Sequence, residues 1–339
     1  MSLYGEKHAN IPIFIPHLGC PHACVFCDQK SISGCRAPTP DEVRVRIEEA
    51  LATLHGRKAE LAFFGGSFTA IGREKMVSYL KPVQPYLKSG ALCGIRLSTR
   101  PDCVGEKVLD LLEEYGVTSI ELGAQSTNDE VLSACGRGHT AEDFFDACRR
   151  IRSRKCFSLS GQMMLGLPCS DLQKEIRTAK DICLCGADGA RIYPTVVLRG
   201  TRLEALYKAG AYTPLTLEEG VARGALIKEI FEENGVHVLR MGLCAEESCE
   251  DAAVAGCYHP AYGEMVESRI FYKELEKACA AYPVRAGKRY KARVAKGCLS
   301  RAAGYKKENR SKLLERFGCD LSFEESGELS GRRIVITEE

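Results

Sequence analysis

Short apolar runs alternate with amphipathic stretches through the first two-thirds of the chain, and this alternation is the strongest constraint on its fold. Six apolar runs are predicted strands, at residues 11–16, 61–64, 94–98, 117–123, 157–165 and 189–197. Segments with helical periodicity follow them, and the first, Pro40–Leu54, begins after a capping signal at Thr39 or Asp41. Strands that alternate with helices predict an α/β fold with a parallel sheet and helices outside it.

Six strand–helix units are two short of the eight in a complete TIM barrel. The pattern therefore predicts a partial (β/α)6 TIM-like barrel, whose open side would leave a wide mouth for a large substrate. A doubly wound sheet is the competing arrangement. The character of the sequence changes near residue 283, which predicts a barrel with its extension over 1–283 and a small basic α+β module over 284–339.

Composition excludes several broad classes of protein. The 339 residues carry a net charge of +2, so the molecule as a whole is not a polyanion binder. A polar N-terminus and the lack of any membrane-length apolar stretch predict a cytoplasmic protein with no membrane contact. The 18 cysteines are then expected to be reduced thiols, some of them held by a metal.

Three cysteines follow the first predicted strand at the spacing C-x3-C-x2-C: Cys20, Cys24 and Cys27. Thiolates suit iron–sulfur clusters and zinc. Three of them on one loop can hold three irons of a cubane cluster and leave the fourth iron open to chelate a small molecule. A zinc site is the alternative, but it needs a fourth ligand. The candidates for that ligand are His17, His22 and Cys35.

The cysteine loop resembles the signature of the radical SAM superfamily, in which an aromatic residue, here Phe26, precedes the third cysteine. Residues 63–68, Phe-Phe-Gly-Gly-Ser-Phe, resemble the family's glycine motif after the second strand. Further strings, which include Ser-Thr-Arg-Pro-Asp, Arg-Gly-His-Thr and Tyr-Pro-Thr, are similar to the radical SAM half of the elongator complex catalytic subunit. That enzyme modifies the wobble uridine of tRNA, and the resemblance spans roughly residues 10–235.

The resemblance implies a partial barrel of the radical SAM type that binds a [4Fe-4S] cluster and S-adenosylmethionine (SAM). Cys20, Cys24 and Cys27 would hold the cluster. An external donor such as flavodoxin or ferredoxin would reduce it, and SAM would be cleaved reductively to a 5′-deoxyadenosyl radical. The resemblance implies no catalytic side chain beyond the cluster ligands.

The resemblance also implies a set of SAM contacts. Aromatic and apolar residues would line the adenine, glycines would hold the methionine end, and polar side chains would bind the ribose or carboxylate. The implied contacts are Phe26, Gly65, Gly66, Ser67, Ser98, Arg100, Gln125, Arg137 and Leu165. The alternative for Arg100 and Arg137 is a structural salt bridge, and for Leu165 a place in the core.

Two departures from the elongator pattern limit what can be carried over. Elongator-type enzymes have a longer gap between their first two cysteines and an acetyltransferase domain after the barrel. About a hundred residues follow the barrel here, so acetyl chemistry is not expected. A second metal site is a separate hypothesis, which rests on a loose group of Cys244, Cys249, Cys257 and His259.

Residues 284–316 contain twelve Lys or Arg against Glu308 and Glu315. A solvated helical face is one interpretation of this run. An RNA-binding surface is the other, because the glycine loop at Gly304 with its basic residues resembles a KH-type module. The candidate RNA contacts are Lys306, Lys307 and Arg310.

Three functions follow from these patterns. The leading hypothesis is a radical SAM enzyme that acts on RNA, above all tRNA. The second keeps the chemistry but changes the substrate to a small molecule or peptide, as in porphyrinogen oxidases. The third is a metal-stabilised RNA-binding protein without catalysis.

Overall fold

The computed structural model describes residues 9–16, 20, 23–27, 36–243 and 247–339, without the side chains of 247–249. The chain forms two compact units. The first comprises Met1–Thr216 and Ile227–Tyr258, and the second comprises Leu217–Leu226 and His259–Glu339.

A seven-stranded sheet is the centre of the first unit. Its strands are β1 (Ala9–Ile15), β2 (Ala59–Gly65), β3 (Gly94–Thr99), β4 (Val117–Gln125), β5 (Ser158–Leu165), β6 (Gly189–Pro194) and β8 (His237–Met241). They lie side by side in chain order, and every neighbouring pair is parallel. The sheet is a curled half-barrel. The predicted α/β partial barrel is therefore confirmed, since a doubly wound sheet would reverse its strand order.

Helices connect these strands, as the periodicity predicted. They are α1 (Pro40–Leu54), α2 (Arg73–Leu80), α3 (Gln84–Lys88), α4 (Glu106–Glu114), α5 (Asp129–Ala134), α6 (Ala141–Arg152), α7 (Leu172–Leu184), α8 (Arg202–Lys208), α9 (Leu217–Glu233) and α10 (Glu247–Ala252). Capping boxes at Thr39 and Thr140 start α1 and α6. A short antiparallel pair, β7 (Val196–Leu198) and β9 (Ala253–Gly256), lies outside the large sheet.

The seventh strand, β8, was not among the six predicted strand–helix units. It has five residues, none of them fully buried, and it lies at the end of the strand order beside β6. An edge strand packs on only one neighbour and needs less apolar sequence. Because the strand includes the polar residues His237 and Arg240, no apolar run marks it in the sequence.

Side chains alternate between the two faces of the half-barrel. In β3, Ile95 and Leu97 belong to the main apolar core, whereas Arg96 and Ser98 bond to carboxylates of neighbouring strands. Successive residues of a strand point to opposite faces. The same alternation in β4, β5 and β6 gives the half-barrel a polar interior and an apolar exterior covered by helices.

The second unit is an α+β module. It contains α11 (Tyr262–Ala281), β10 (Arg289–Ala295), α12 (Leu299–Ala303), α13 (Glu308–Phe317), β11 (Asp320–Ser326) and β12 (Ile334–Glu338). The strand order is β11-β10-β12, with β11 parallel and β12 antiparallel to β10. The predicted boundary near residue 283 lies after α11, within the segment His259–Glu339 of this unit. Leu275 and Cys279 of α11 share the core of the unit with Tyr290, Leu313 and Leu321.

Among the described residues, no helix combines the length and the apolar character that a membrane crossing requires.

Candidate functional site

The cysteine loop lies at the carboxyl end of β1 and is anchored by the residue between its second and third cysteines. Val25 is only 2% exposed. Its backbone N–H donates to the carbonyl of Cys135 at 3.0 Å, and its carbonyl accepts from the N–H of Leu203 at 2.8 Å. A turn in which the N–H of Cys27 donates to the carbonyl of Cys24 at 3.1 Å closes this end of the loop. Residues 24–27 of the loop are thus held at the end of α5 through Cys135 and at the start of α8 through Leu203.

The thiols of the loop lie in a basic environment. The guanidinium of Arg137 donates from Nη1 to Sγ of Cys24 at 3.2 Å. Burial, with the Cys24 thiol, raises the pKa of Cys20 above its ordinary value, and Arg100, Arg137 and the Ser67 backbone only partly offset this. Arg137 at the sulfur of Cys24 supplies the positive charge that a metal-bound thiolate favours.

The two arginines are buried and held by different partners. Arg100 makes a bidentate pair with Asp102, both bonds at 2.9 Å, and also donates to the carbonyl of Arg137 at 2.5 Å. Arg137 donates to the carbonyl of Gly123 at 2.6 Å, and its Nε has no partner among the described residues. Arg100 thus makes a salt bridge and Arg137 is directed at the cysteine loop, and the SAM contacts assigned to both remain predictions.

The glycine motif is adjacent to the end of β1. Gly65 has a φ of +110°, and a Cβ there would lie 2.7 Å from the carbonyl oxygen of Ile15. The same oxygen accepts from the N–H of Gly66 at 2.7 Å. Beyond it, the hydroxyl of Ser67 accepts from the N–H of Arg100 at 3.1 Å. Only glycine fits at position 65, which ties the glycine motif to the strand that leads into the cysteine loop.

Gln125 ends β4 in a strained conformation. Its φ is +63°, and a shift in the register of β4 with β5 lies just before it. Its side chain, in a residue 5% exposed, accepts from Nε2 of Gln162 at 3.2 Å. A Cβ at Gly123 would lie 3.0 Å from Nε2 of Gln125. Non-glycine residues with left-handed backbones and β-bulges concentrate at functional sites. Gln162, the partner of Gln125, was not among the predicted site residues.

A charged network lies in the interior of the half-barrel, below its mouth, the edge at which the carboxyl ends of the strands meet. Ser98, one of the predicted SAM contacts, donates to Oε1 of Glu121 at 3.0 Å, and Arg191 donates to Oε2 at 2.6 Å. Arg191 also donates to the hydroxyl of Tyr193 at 3.3 Å and lies over the ring of Phe64. Although burial disfavours its charge, Glu121 keeps the pKa of Arg191 above its ordinary value. Glu121 and Arg191 were missed, yet the alternation along β4 and β6 places both on the interior face.

Phe26 and Leu165 lie in different apolar clusters. Phe26 packs on a cluster that contains Val25, Met164 and Leu167. Leu165 is fully buried in the main core, on the same face of β5 as Met163. The apolar surface beside the cysteine loop is therefore built by the neighbours of Leu165 in sequence. The adenine contact assigned to Leu165 remains a prediction.

Several candidate ligands lie outside the described residues: His17, His22, Cys35, Cys244 and the side chain of Cys249. Cys257 is described, and its thiol lies 3.3 Å from the carbonyls of both Leu215 and Thr216. These contacts suit a protonated, buried thiol. The second metal site stays a hypothesis.

The donor set at the mouth fits a cluster. In the described parts of the chain, no three His, Cys, Asp or Glu side chains gather around one point as ligands of a single metal ion do. Three cysteines on one loop, with a guanidinium at the sulfur of Cys24, form a donor set whose chemistry suits an iron–sulfur cluster.

The predicted RNA contacts lie between and within the helices of the second unit. Lys306 and Lys307 are exposed in the loop before α13. Arg310 lies in α13 and makes a bidentate pair with Asp320, at 2.9 and 2.8 Å.

Comparison with known proteins identifies the family. Residues 14–181 match the model of the radical SAM superfamily, and residues 187–271 match the radical SAM C-terminal domain. The chain belongs to the radical SAM superfamily. Members of this superfamily are enzymes.

Relatives at similar identity fall into two groups. A protein of Methanocaldococcus jannaschii described as uncharacterized is 29% identical over 74% of this chain and 80% of its own length. The tRNA uridine(34) acetyltransferase of the same organism and human elongator complex protein 3 are also 29% identical, over 60% and 61% of this chain. This chain covers only 45% and 47% of those two proteins. The resemblance to the radical SAM half of the elongator subunit is confirmed.

Solved structures agree on the fold. The elongator protein 3 of Methanocaldococcus infernus superposes with a TM-score of 0.63 at 24% identity, over 79% of this chain and 62% of that one. Coproporphyrinogen III oxidase of Escherichia coli gives 0.50 at 18% identity, over 68% and 54%. At these identities the likeness concerns the fold alone.

We expect Gly65→Ala to destabilise the protein through a backbone clash. Its Cβ would meet two atoms of the Ile15 carbonyl at 2.7 and 2.9 Å. Crowding of this kind costs about 1–3 kcal/mol beyond the cost of the positive φ. Gly56→Ala is the control, since Gly56 has a φ of +78° with no atom within 4 Å of its Cβ. Equal losses in the free energy of unfolding, measured by chemical denaturation, would contradict the clash.

A second prediction concerns His139, which is 4% exposed. Burial, with Arg137 and Arg100 nearby, lowers its pKa from 6.5 to about 4. The unfolded chain therefore binds the proton first, and the stability present above pH 6.5 is lost as pH falls toward 4. The loss at pH 4 should be about 3 kcal/mol. Denaturation of metal-free protein between pH 4 and 7 measures it against His139→Asn, and a pH-independent difference would refute the assignment.

Proposed function

We propose that this chain is a radical SAM enzyme that modifies tRNA or another RNA. It binds a [4Fe-4S] cluster through Cys20, Cys24 and Cys27, and it binds SAM at the mouth of the half-barrel. The observation that carries the proposal is the anchored three-cysteine loop beside Arg137. The superfamily match and relatives named for tRNA uridine modification support it.

Different residues at the mouth bind different parts of SAM. Gly65, Gly66 and Ser67 hold the methionine end where their backbone meets β1. Arg137 orients Cys24 and supplies positive charge next to it. Gln125, which accepts a hydrogen bond from Gln162, binds the ribose.

Further groups complete the proposed SAM site. Phe26 and the apolar cluster under it cover the adenine, with Leu165 behind them in the core. Ser98 and Arg100 take polar groups of SAM. When bound, the reduced cluster would supply the electron that cleaves SAM into methionine and the 5′-deoxyadenosyl radical. The protein fixes the geometry and excludes water.

The interior below the mouth suits a polar substrate. Glu121, Arg191 and Tyr193 provide a carboxylate, a guanidinium and a phenol that are hydrogen-bonded to one another. Buried polar groups discriminate through hydrogen bonds, because a substrate that lacks the matching group leaves a donor or acceptor unsatisfied. A nucleobase offers matching donors and acceptors. An external one-electron donor such as flavodoxin or ferredoxin and a cytoplasmic location complete the proposal.

The chemistry is tested by anaerobic reconstitution with iron and sulfide, followed by dithionite and SAM. We expect 5′-deoxyadenosine and methionine to form, and single Cys20→Ala, Cys24→Ala and Cys27→Ala variants to lose both products. Cys183→Ala is the matched control, since Cys183 is a half-buried thiol of α7. A zinc centre with no paramagnetic signal after reduction, and no product from the wild type, would leave a non-catalytic metal protein.

The substrate is tested by comparing modified nucleosides between a strain that lacks the gene and its parent. We expect at least one tRNA nucleoside to disappear and to return with the wild-type gene but not with Cys24→Ala. Mass spectrometry of digested tRNA and rRNA measures it. Unchanged RNA, together with SAM cleavage in vitro, would point instead to a small-molecule or peptide substrate.

A further inference from the structure

The second unit carries a loop whose positive charges lack acidic partners. We name residues 304–307, Gly-Tyr-Lys-Lys, the lysine loop; it joins α12 to α13. Lys306 and Lys307 are both exposed, and neither makes an ion pair with a described residue. The ammonium of Lys306 lies 5.4 Å from the centroid of the Tyr305 ring, which positions it without neutralising it.

Most other cations of the module are already neutralised. Six of the twelve Lys or Arg in residues 284–316 pair with carboxylates of the same unit: Lys288, Lys291, Arg293, Arg310, Lys312 and Arg316. Those without an ion pair among the described residues are Arg285, Arg289, Lys296, Arg301, Lys306 and Lys307. Four of these six lie between the end of β10 and the start of α13, so the unbalanced charge is concentrated at and around the lysine loop.

Buried groups hold the loop in a strained conformation. Gly304 has a φ of +86°, and a Cβ there would lie 2.6 Å from the side chain of Asn309. The amide of Asn309, a residue 1% exposed, donates to the carbonyls of Ser268 and Ala302 at 2.9 and 3.1 Å. The N–H of Tyr305 donates to the hydroxyl of Ser268 at 2.7 Å. The loop is therefore fixed from below, while its lysines are left to solvent.

Both lysines have left-handed backbones, with φ of +51° at Lys306 and +63° at Lys307. A residue with a Cβ is disfavoured in this conformation, because the Cβ crowds the following carbonyl oxygen. Two in succession, maintained by a buried asparagine, are a conformational outlier of the kind found at ligand-binding positions. Glycine would adopt either φ without this cost.

The topology around the loop is one that binds nucleic acid elsewhere. A strand, two helices joined by a short glycine loop, and a second strand follow one another from β10 to β11, and the two strands are parallel neighbours. In KH modules a glycine loop between two helices clamps the nucleic-acid backbone. The fourth position of that loop is glycine in KH modules, and here Lys307 takes a conformation typical of glycine.

We infer that the lysine loop binds the phosphodiester backbone of RNA and holds the substrate of the proposed RNA-modifying activity. Lys306 and Lys307 contact phosphates, and Arg301 and Lys296 extend the positive surface. This inference rests on the proposed function for the identity of its ligand, but its contacts do not depend on the cluster.

The test compares two double variants with the same change in net charge. Lys306→Gln/Lys307→Gln removes the loop charges, and Lys288→Gln/Lys291→Gln removes lysines paired with Glu338 and Glu324. The probe is an unmodified tRNA transcript with uridine at position 34, titrated against the reconstituted full-length protein by fluorescence anisotropy at several salt concentrations. We expect the loop variant to bind on the order of tenfold more weakly and to lower the salt slope by about 1.4, which corresponds to two phosphate contacts.

Further variants keep the result open to refutation. Lys306→Arg/Lys307→Arg should retain wild-type binding, and melting temperatures establish that each variant is folded. Equal weakening by the two glutamine variants, or none by the loop variant, would overturn the inference. Competition by polyglutamate as strong as that by RNA would also overturn it, in favour of an acidic protein partner. Formation of 5′-deoxyadenosine without RNA reports on the proposed chemistry separately, so either idea can fail alone.

Discussion

The parallel register of the half-barrel is the constraint on which the mouth depends. Because each strand pairs in parallel with the next in chain order, all carboxyl ends meet at one edge. The carboxyl ends of β1 and β2 lie so close together that the carbonyl of Ile15 accepts from the N–H of Gly66 and leaves no room for a side chain at Gly65. The cysteine loop leaves β1 directly after this contact. Its position relative to the glycine motif is therefore set by strand pairing.

The alternation that makes the exterior of the half-barrel apolar also places charged side chains in its interior, away from water. An ionised side chain out of water needs a partner in good geometry. Two layers satisfy this need. Near the amino ends of the strands, Arg96 pairs with Glu60 at 3.0 Å, with both residues almost fully buried. Nearer the mouth, Arg191 pairs with Glu121.

The features that the sequence predicted well are local ones. The bounds of α1 and the first six strands follow from periodicity within a few residues, and Thr39, one of the two predicted start signals of α1, is its N-cap. Contacts between side chains of different strands were not predicted: the Glu121–Arg191 pair and the contact of Gln125 with Gln162 depend on register. The order of strands could be guessed from connectivity, but register requires the packed sheet.

Charge in the second unit shows why a sequence window can mislead about a surface. Residues 284–316 contain two acidic residues of their own, which suggests a uniformly basic segment. In the folded unit, carboxylates from outside this segment pair with its cations: Glu276, Asp320, Glu324, Glu328 and Glu338. A phosphate that approaches a paired cation must compete with the carboxylate already there, whereas an unpaired lysine exchanges only water and small ions. Binding of a polyanion is therefore decided by the cations that folding leaves without a carboxylate partner. Four of the six in residues 284–316 lie between the end of β10 and the start of α13, at and around the lysine loop.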